Sequence, residues 1–145
     1  MPQVIAFAGK IGSGKTTITK SLADALAWPR ASFGDYVRKV VHERGLKETR
    51  EILQSVGTEI LRADPPGFCN SVLASSGWEP GQSLLIDGLR HVETIEIIGR
   101  LTQGAPLRIV FVRIGEKARL RRLEEREGWT RTTVRLLRLT PQRLK

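Results

Sequence analysis

Cysteine is nearly absent. Cys69 is the single one in 145 residues, so no internal disulfide framework can form, and a reduced, cytoplasmic setting is expected. Its side chain reads as a small buried apolar group rather than a reactive thiol. Long hydrophobic runs are missing too, and nothing approaches the roughly 20 apolar residues of a membrane-spanning helix. The short apolar start Val4 to Ala8 runs straight into a glycine-rich loop, so a cleaved leader is not expected. There is no internal repeat and no low-complexity tract. The length is enough for one compact domain and too little for two.

Acid is scarce relative to base. Fifteen Asp and Glu against 24 Lys and Arg give a formal net charge of +9. Residues 128–145 hold five basic groups (Arg131, Arg135, Arg138, Arg143, Lys145) and no acid, and taking five from +9 leaves +4 for the rest. A residual of that size suits a site gripping several phosphates, and it confines any nucleic-acid contact to the basic tail.

What is present is a phosphate loop. Gly9-Lys10-Ile11-Gly12-Ser13-Gly14-Lys15-Thr16 reads G-x-x-x-x-G-K-T. Glycines let such a loop fold back and aim successive backbone N–H groups at a triphosphate. Gly9, Gly12, Ser13, Gly14, Lys15, Thr16 and Thr17 are therefore the expected nucleotide-binding residues, with Lys15 on the β- and γ-phosphates and the Thr16 hydroxyl on Mg²⁺. The context agrees: Val4 to Ala8 reads as a strand, and Ile18, Leu22, Ala25 and Leu26 recur at helical spacing after the loop, whose anion would face the positive helix end.

Further along, Ala31 to Phe33 reads as a short second strand, and Gly34-Asp35-Tyr36-Val37-Arg38 opens a helix running towards Arg44. Asp35 has an ordinary explanation there as an N-terminal cap. Arg38 falls on the first turn, where it can face the phosphate loop. Lys47 to Ala63 is an amphipathic helix with Ile52, Leu53, Val56 and Ile60 on one stripe and Arg50, Gln54 and Gly57 on another. The second stripe is either a solvated face or a ligand surface cleared by the mid-helix glycine. Asp64 to Gly67 ends that helix, and Phe68 to Ala74 reads as another before a turn.

Ser83 to Ile86 reads as a buried strand ending in Asp87-Gly88-Leu89-Arg90-His91. Ligands of open α/β sheets sit beyond the carboxyl ends of strands, so Asp87 and Arg90 fall where chemistry is done. Asp87 is the expected second holder of Mg²⁺. His91 reads as a structural or rim residue. Val92 to Gln103 is expected to be a helix with Val92, Ile95, Ile98 and Leu101 inward, followed by a fourth strand, Leu107 to Ile114, apolar enough to be covered on both faces. A last helix, Glu116 to Glu127, carries Arg119, Arg122 and Arg126; the first two are expected to close over the transferring phosphate, and Arg126 to pair with its own helix's glutamates. Alternating strands and helices predict a parallel sheet with helices on both faces.

Four of these landmarks, in this order, resemble the nucleoside monophosphate kinases of the adenylate-kinase-like branch: the loop Gly9 to Thr16, Gly34-Asp35-x-x-Arg38, Asp87-Gly88-Leu89-Arg90 and Arg119-x-x-Arg122. The resemblance spans roughly Val4 to Glu127. Residues Thr49 to Glu59 are similar, more specifically, to deoxynucleoside monophosphate kinases of phages and related bacterial proteins. It implies a three-layer α/β/α fold with strand order 2-3-1-4, ATP and Mg²⁺ as cofactors, and a small phosphate acceptor. It also implies a kinase domain over 1–127, with 35–82 as acceptor-binding insertion and 116–127 as lid. Asp35, Arg38, Arg50, Gln54 and Arg90 would then bind the acceptor, and Lys15, Arg119 and Arg122 would stabilise the transferring group.

The resemblance stops at residue 128. Such kinases continue with a strand, a helix and an adenine-packing loop, whereas 128–145 is an Arg- and Leu-rich tail. That tail is either a truncated or frame-shifted end, or a basic amphipathic segment for an acidic partner or membrane surface. Two other activities remain open on these residues. One is phosphorylation of a hydroxyl, as in dephospho-coenzyme A kinases, with Asp35 taking the proton; the other is a nucleotide-binding ATPase associated with nucleic acid through the tail.

Overall fold

The computed structural model describes residues 1–10 and 13–125. Four parallel strands form its sheet: β1 (Val4–Ala8), β2 (Arg30–Ser32), β3 (Leu84–Asp87) and β4 (Leu107–Phe111), in the order β2-β3-β1-β4. The order is the one expected, and Gly12 and the tail, along with Arg126 and Glu127, lie outside the described residues. β1 is central, with Phe7 in register with Asp87 on one side and with Val110 on the other. Strand β2 places Ser32 beside Asp87. The carboxyl ends of β1, β2 and β3 therefore open onto one edge of the sheet, where the phosphate loop and the starts of α1 (Lys15–Leu26) and α2 (Phe33–Glu43) also lie.

Strand β3 is an apolar run because nothing around it is solvent: Leu84, Leu85 and Ile86 are wholly buried. Between β2 and β3 the chain inserts α2, α3 (Arg50–Ala63) and α4 (Pro65–Ser75). Their starts are set by local chemistry, since Ser32, Thr49 and Asp64 each accept a hydrogen bond from the backbone N–H three residues on. The insertion is held by one apolar cluster in which Phe33 meets Phe68 edge-on at 5.2 Å and Val37, Val56, Leu61 and Val72 are buried. Cys69 is wholly buried in this cluster, as its sequence setting suggests.

Three expectations are corrected here. Asp35 does not cap α2. Ser32 does, and its oxygen takes the Asp35 N–H, which leaves the Asp35 carboxylate to the site. In α5 (Val92–Leu101) the buried positions are Thr94, Ile97 and Ile98, while Val92 is exposed, so the buried stripe is turned from the one the apolar spacing suggests and takes in the Thr94 methyl and hydroxyl. Strand β4 ends at Phe111 and is not covered on both faces: Ile109, Val110 and Phe111 are each about two-fifths exposed. It is bonded to β1 alone among the described strands, and an apolar run does not reveal whether neighbours lie over it.

Helix α1 is likewise less covered than its apolar spacing suggests. Lys15 and Thr19 are its buried residues, and Ile18 and Leu26 are exposed. No helix among the described residues is long and apolar enough to cross a membrane. Helix α6 (Glu116–Glu125) closes the described chain.

Candidate active site

The loop conformation depends on two glycines. Gly9 has φ of 150°, and a Cβ there would lie 2.5 Å from the Val112 carbonyl oxygen and 3.0 Å from the Ser13 hydroxyl. Gly14, at φ 96°, stands at the N-terminus of α1, and its missing Cβ leaves room for the Arg122 guanidinium, which comes within 2.8 Å of where that carbon would be. Lys15 is buried beneath the loop, and its ammonium donates to the carbonyls of Gly9 (2.7 Å) and Lys10 (3.0 Å). Ser13 is buried with its hydroxyl without a partner among the described residues, while Thr17 is exposed on the first turn of α1.

Thr16 and Asp87, 71 residues apart, are in direct contact. The Thr16 hydroxyl donates to Asp87 Oδ2 at 2.9 Å. Two hard oxygens side by side at the mouth of a phosphate loop match what Mg²⁺ asks of a protein, one or two oxygen ligands with phosphates and water completing the shell. The alternative, a protein-only metal cage, is not there: among the described residues no group of three or more His, Cys, Asp or Glu could hold a metal ion.

Arg38, Arg50 and Arg90 converge at the end of β3, from α2, α3 and the loop after Asp87. Arg90 opens to the cleft, yet protein around it strips away bulk water, and this desolvation lowers its pKa; Asp87 opposes the shift, and the positive charges of Arg50 and Arg38 add to it. Burial likewise lowers the pKa of Arg50, against the pull of Glu51. Arg38 bonds Asp35 Oδ1 and Glu48 Oε1, both at 3.1 Å. Three guanidinium groups near enough to feel one another's charge concentrate positive potential beside Asp87.

Over residues 5–134 the chain matches the AAA domain family. The chain belongs to that AAA-domain family. A UPF0200 protein from Aeropyrum pernix is 33% identical over 136 residues, covering 94% of this chain and 71% of the relative, so the UPF0200 proteins are its kin as well. A cytidylate kinase from Haloarcula marismortui is 49% identical over a shorter stretch of 43 residues, 30% of this chain and 22% of that enzyme. In architecture the domain is similar to a candidate kinase from Chloroflexus aurantiacus, with a TM-score of 0.68 at 20% identity, covering 94% of this chain and 74% of that one. The fold of this AAA domain is thus the kinase-like, phosphate-loop α/β fold.

The remaining expected site residues are placed less uniformly in the AAA domain. Arg119 is almost wholly buried and forms a two-pronged pair with Glu116, Nη2 to Oε1 at 2.6 Å and Nε to Oε2 at 3.1 Å; Glu116 also lies 3.8 Å from the Lys10 ammonium. Arg122 is exposed, as is Arg121, and its guanidinium is the one that lies against Gly14 of the loop. Gln54 lines an open groove on α3 with Glu51, Thr58 and Arg62, a different set from the arginine recess. Gly57 packs towards α2, where a Cβ would meet Val37 in ordinary contact at 3.5 Å, so its face belongs to helix packing.

One functional residue escapes sequence reasoning. Arg30, in the break Trp28-Pro29-Arg30, sends its guanidinium to Asp87 Oδ2 (2.6 Å), Asp35 Oδ2 (3.1 Å) and the Thr19 hydroxyl (3.0 Å). The available signal was its place on the short strand next to the Asp87 strand, where an inward basic residue needs an acid.

Proposed function

We propose that this domain is an ATP- and Mg²⁺-dependent phosphotransferase whose acceptor is a nucleoside or deoxynucleoside monophosphate. The observation that supports the reading is the closeness of Arg38, Arg50 and Arg90 to one another beside Asp87, the carboxylate that Thr16 of the phosphate loop contacts, which would offer a second phosphate a site next to the first. The kinship with a cytidylate kinase over 43 residues supports the same class of acceptor.

The chemistry then demands little beyond placement. An acceptor phosphate is already an anionic nucleophile and needs no general base, so the protein's work is alignment and neutralisation of charge. Gly9 to Thr17 would cradle the ATP phosphates, with Lys15 exchanging its carbonyl partners for β- and γ-oxygens. Thr16 and Asp87 would hold Mg²⁺, which supplies charge neutralisation at the transferring group. Arg122 would lean onto that group from α6, joined by Arg119 once it leaves Glu116; Arg38, Arg50 and Arg90 would hold the acceptor phosphate, with Asp35 keeping Arg38 aimed. Gln54, in the separate groove on α3, has no part in this scheme. In this scheme residues 35–82 are the acceptor side of a kinase domain over 1–127.

A hydroxyl acceptor fits less well. Asp35 would have to take the proton, yet each of its oxygens already receives a guanidinium, Oδ1 from Arg38 and Oδ2 from Arg30. That arrangement suits holding arginines. The deciding experiment is a panel of nucleoside and deoxynucleoside monophosphates with Mg·ATP, scored by ADP release. At least one monophosphate should stimulate release well above the ATP-only rate. If none does, and oligonucleotide binding is steep in salt and lost on removal of residues 128–145, the nucleic-acid ATPase reading replaces this one.

A further inference from the structure

We propose that Arg30 is a movable counter-ion for Asp87: it pairs with the carboxylate and yields that oxygen to a divalent cation, with Asp35 as its second berth. The inference rests on the reading of Thr16 and Asp87 as the Mg²⁺-holding pair.

The geometry begins with a closed ring of hydrogen bonds. Arg30 Nε donates to the Thr19 hydroxyl at 3.0 Å, and that hydroxyl donates to the Thr16 carbonyl at 3.1 Å. The Thr16 hydroxyl donates to Asp87 Oδ2 at 2.9 Å, and the same oxygen receives Arg30 Nη2 at 2.6 Å. One carboxylate oxygen thus serves both the Thr16 hydroxyl and the guanidinium. The ion pair is deep, with side chains 13% and 5% exposed, so neither charge would be tolerated there without the other or a substitute.

A cation taken up between Thr16 and Asp87 is that substitute. It satisfies the carboxylate with a higher charge and repels the guanidinium beside it. Arg30 need not leave the site, because Nη1 already rests on Asp35 Oδ2 at 3.1 Å and Asp35, half exposed, has solvent room to follow it. A pivot about that bond clears Asp87. Asp35 holds Arg38 through its other oxygen, so the pivot also reaches the acceptor side. Arg30 is therefore placed to make metal uptake and acceptor binding interdependent.

The test reads binding, not turnover: the Mg²⁺ concentration that half-saturates ADP binding by calorimetry, together with the rise in Tm caused by Mg²⁺ alone. Arg30→Met should lower the half-saturating Mg²⁺ by about five-fold or more, the lower end of ordinary coupling between sites, whereas Arg30→Lys, which keeps the charge, should stay within about two-fold of the parent. An unchanged or increased Mg²⁺ requirement in Arg30→Met overturns the proposal. Should Arg30→Met fail to fold, Asp35→Asn gives the opposite sign: loss of the second berth leaves Arg30 on Asp87 and raises the requirement, and an unchanged or lower value overturns the proposal. Asp87→Asn separates the two layers. If it leaves the Mg²⁺ requirement unaltered, the metal-holding role of Asp87 fails; if it raises the requirement while Arg30→Met does not lower it, the counter-ion role alone fails.

Discussion

The guanidinium of Arg122 occupies the space that a side chain on Gly14 would fill, with Nη1 within 2.8 Å of the missing Cβ. The relationship joins the last described helix to the first turn of α1. Gly14→Ala would therefore fail twice, through strain at φ 96° and by expelling Arg122. Nucleotide affinity should fall by about tenfold or more, the equivalent of roughly 1.4 kcal/mol. Calorimetry with ADP checks it, and Arg122→Ala with affinity for ADP retained but transfer lost would assign Arg122 to the reacting group alone.

Asp87→Asn breaks the buried pair with Arg30 and leaves a guanidinium that is 13% exposed without its charge partner. Destabilisation of about 3 kcal/mol is expected from removal of one member of a buried pair. Urea unfolding measures it. The double variant Asp87→Asn with Arg30→Met should recover part of that loss, since both charges are then gone, and no recovery would mean that the two groups act independently.

The fold and half of the site were legible because they rest on local rules. Strand, loop and helix around Gly9 to Thr16 are written in spacing, and Thr16 with Asp87 follows from where β3 ends. Arg30 was not legible, since its meaning comes from the β2–β3 register and from partners 5, 11 and 57 residues away. The exposure of β4 was hidden for a related reason. Leu107 to Phe111 is apolar but for Arg108 and reads much like Leu84 to Ile86 as sequence, and it is the order of the described strands that makes one an edge and the other a centre.

That difference is measurable. Ile86→Ala, at a wholly buried position in β3, should cost about 3 kcal/mol. Val110→Ala, two-fifths exposed in β4, should cost under about 1 kcal/mol. Equal costs in paired urea titrations would contradict the edge position of β4.

Cys69 provides a handle on alkaline stability. Burial pushes its thiol from 9.0 up to about 11, so above pH 9 the unfolded chain loses a proton that the folded one retains. Folding stability then falls as pH rises between about 9 and 11, by roughly 2–3 kcal/mol in total from this residue. Cys69→Ala should unfold with a visibly shallower pH dependence across that window, and the native thiol should react with disulfide reagents only after unfolding. Identical pH slopes for the parent and Cys69→Ala would remove the thiol as the cause.

The Lys15 ammonium, seated on the carbonyls of Gly9 and Lys10, ties the start of α1 to the start of the phosphate loop. On the proposed reading, an anion bound by Lys15 would exchange those two carbonyl bonds for others of similar number. Recognition then draws on the difference between a neutral carbonyl and a charged phosphate oxygen. A loop built this way would rank anions by how much charge each carries.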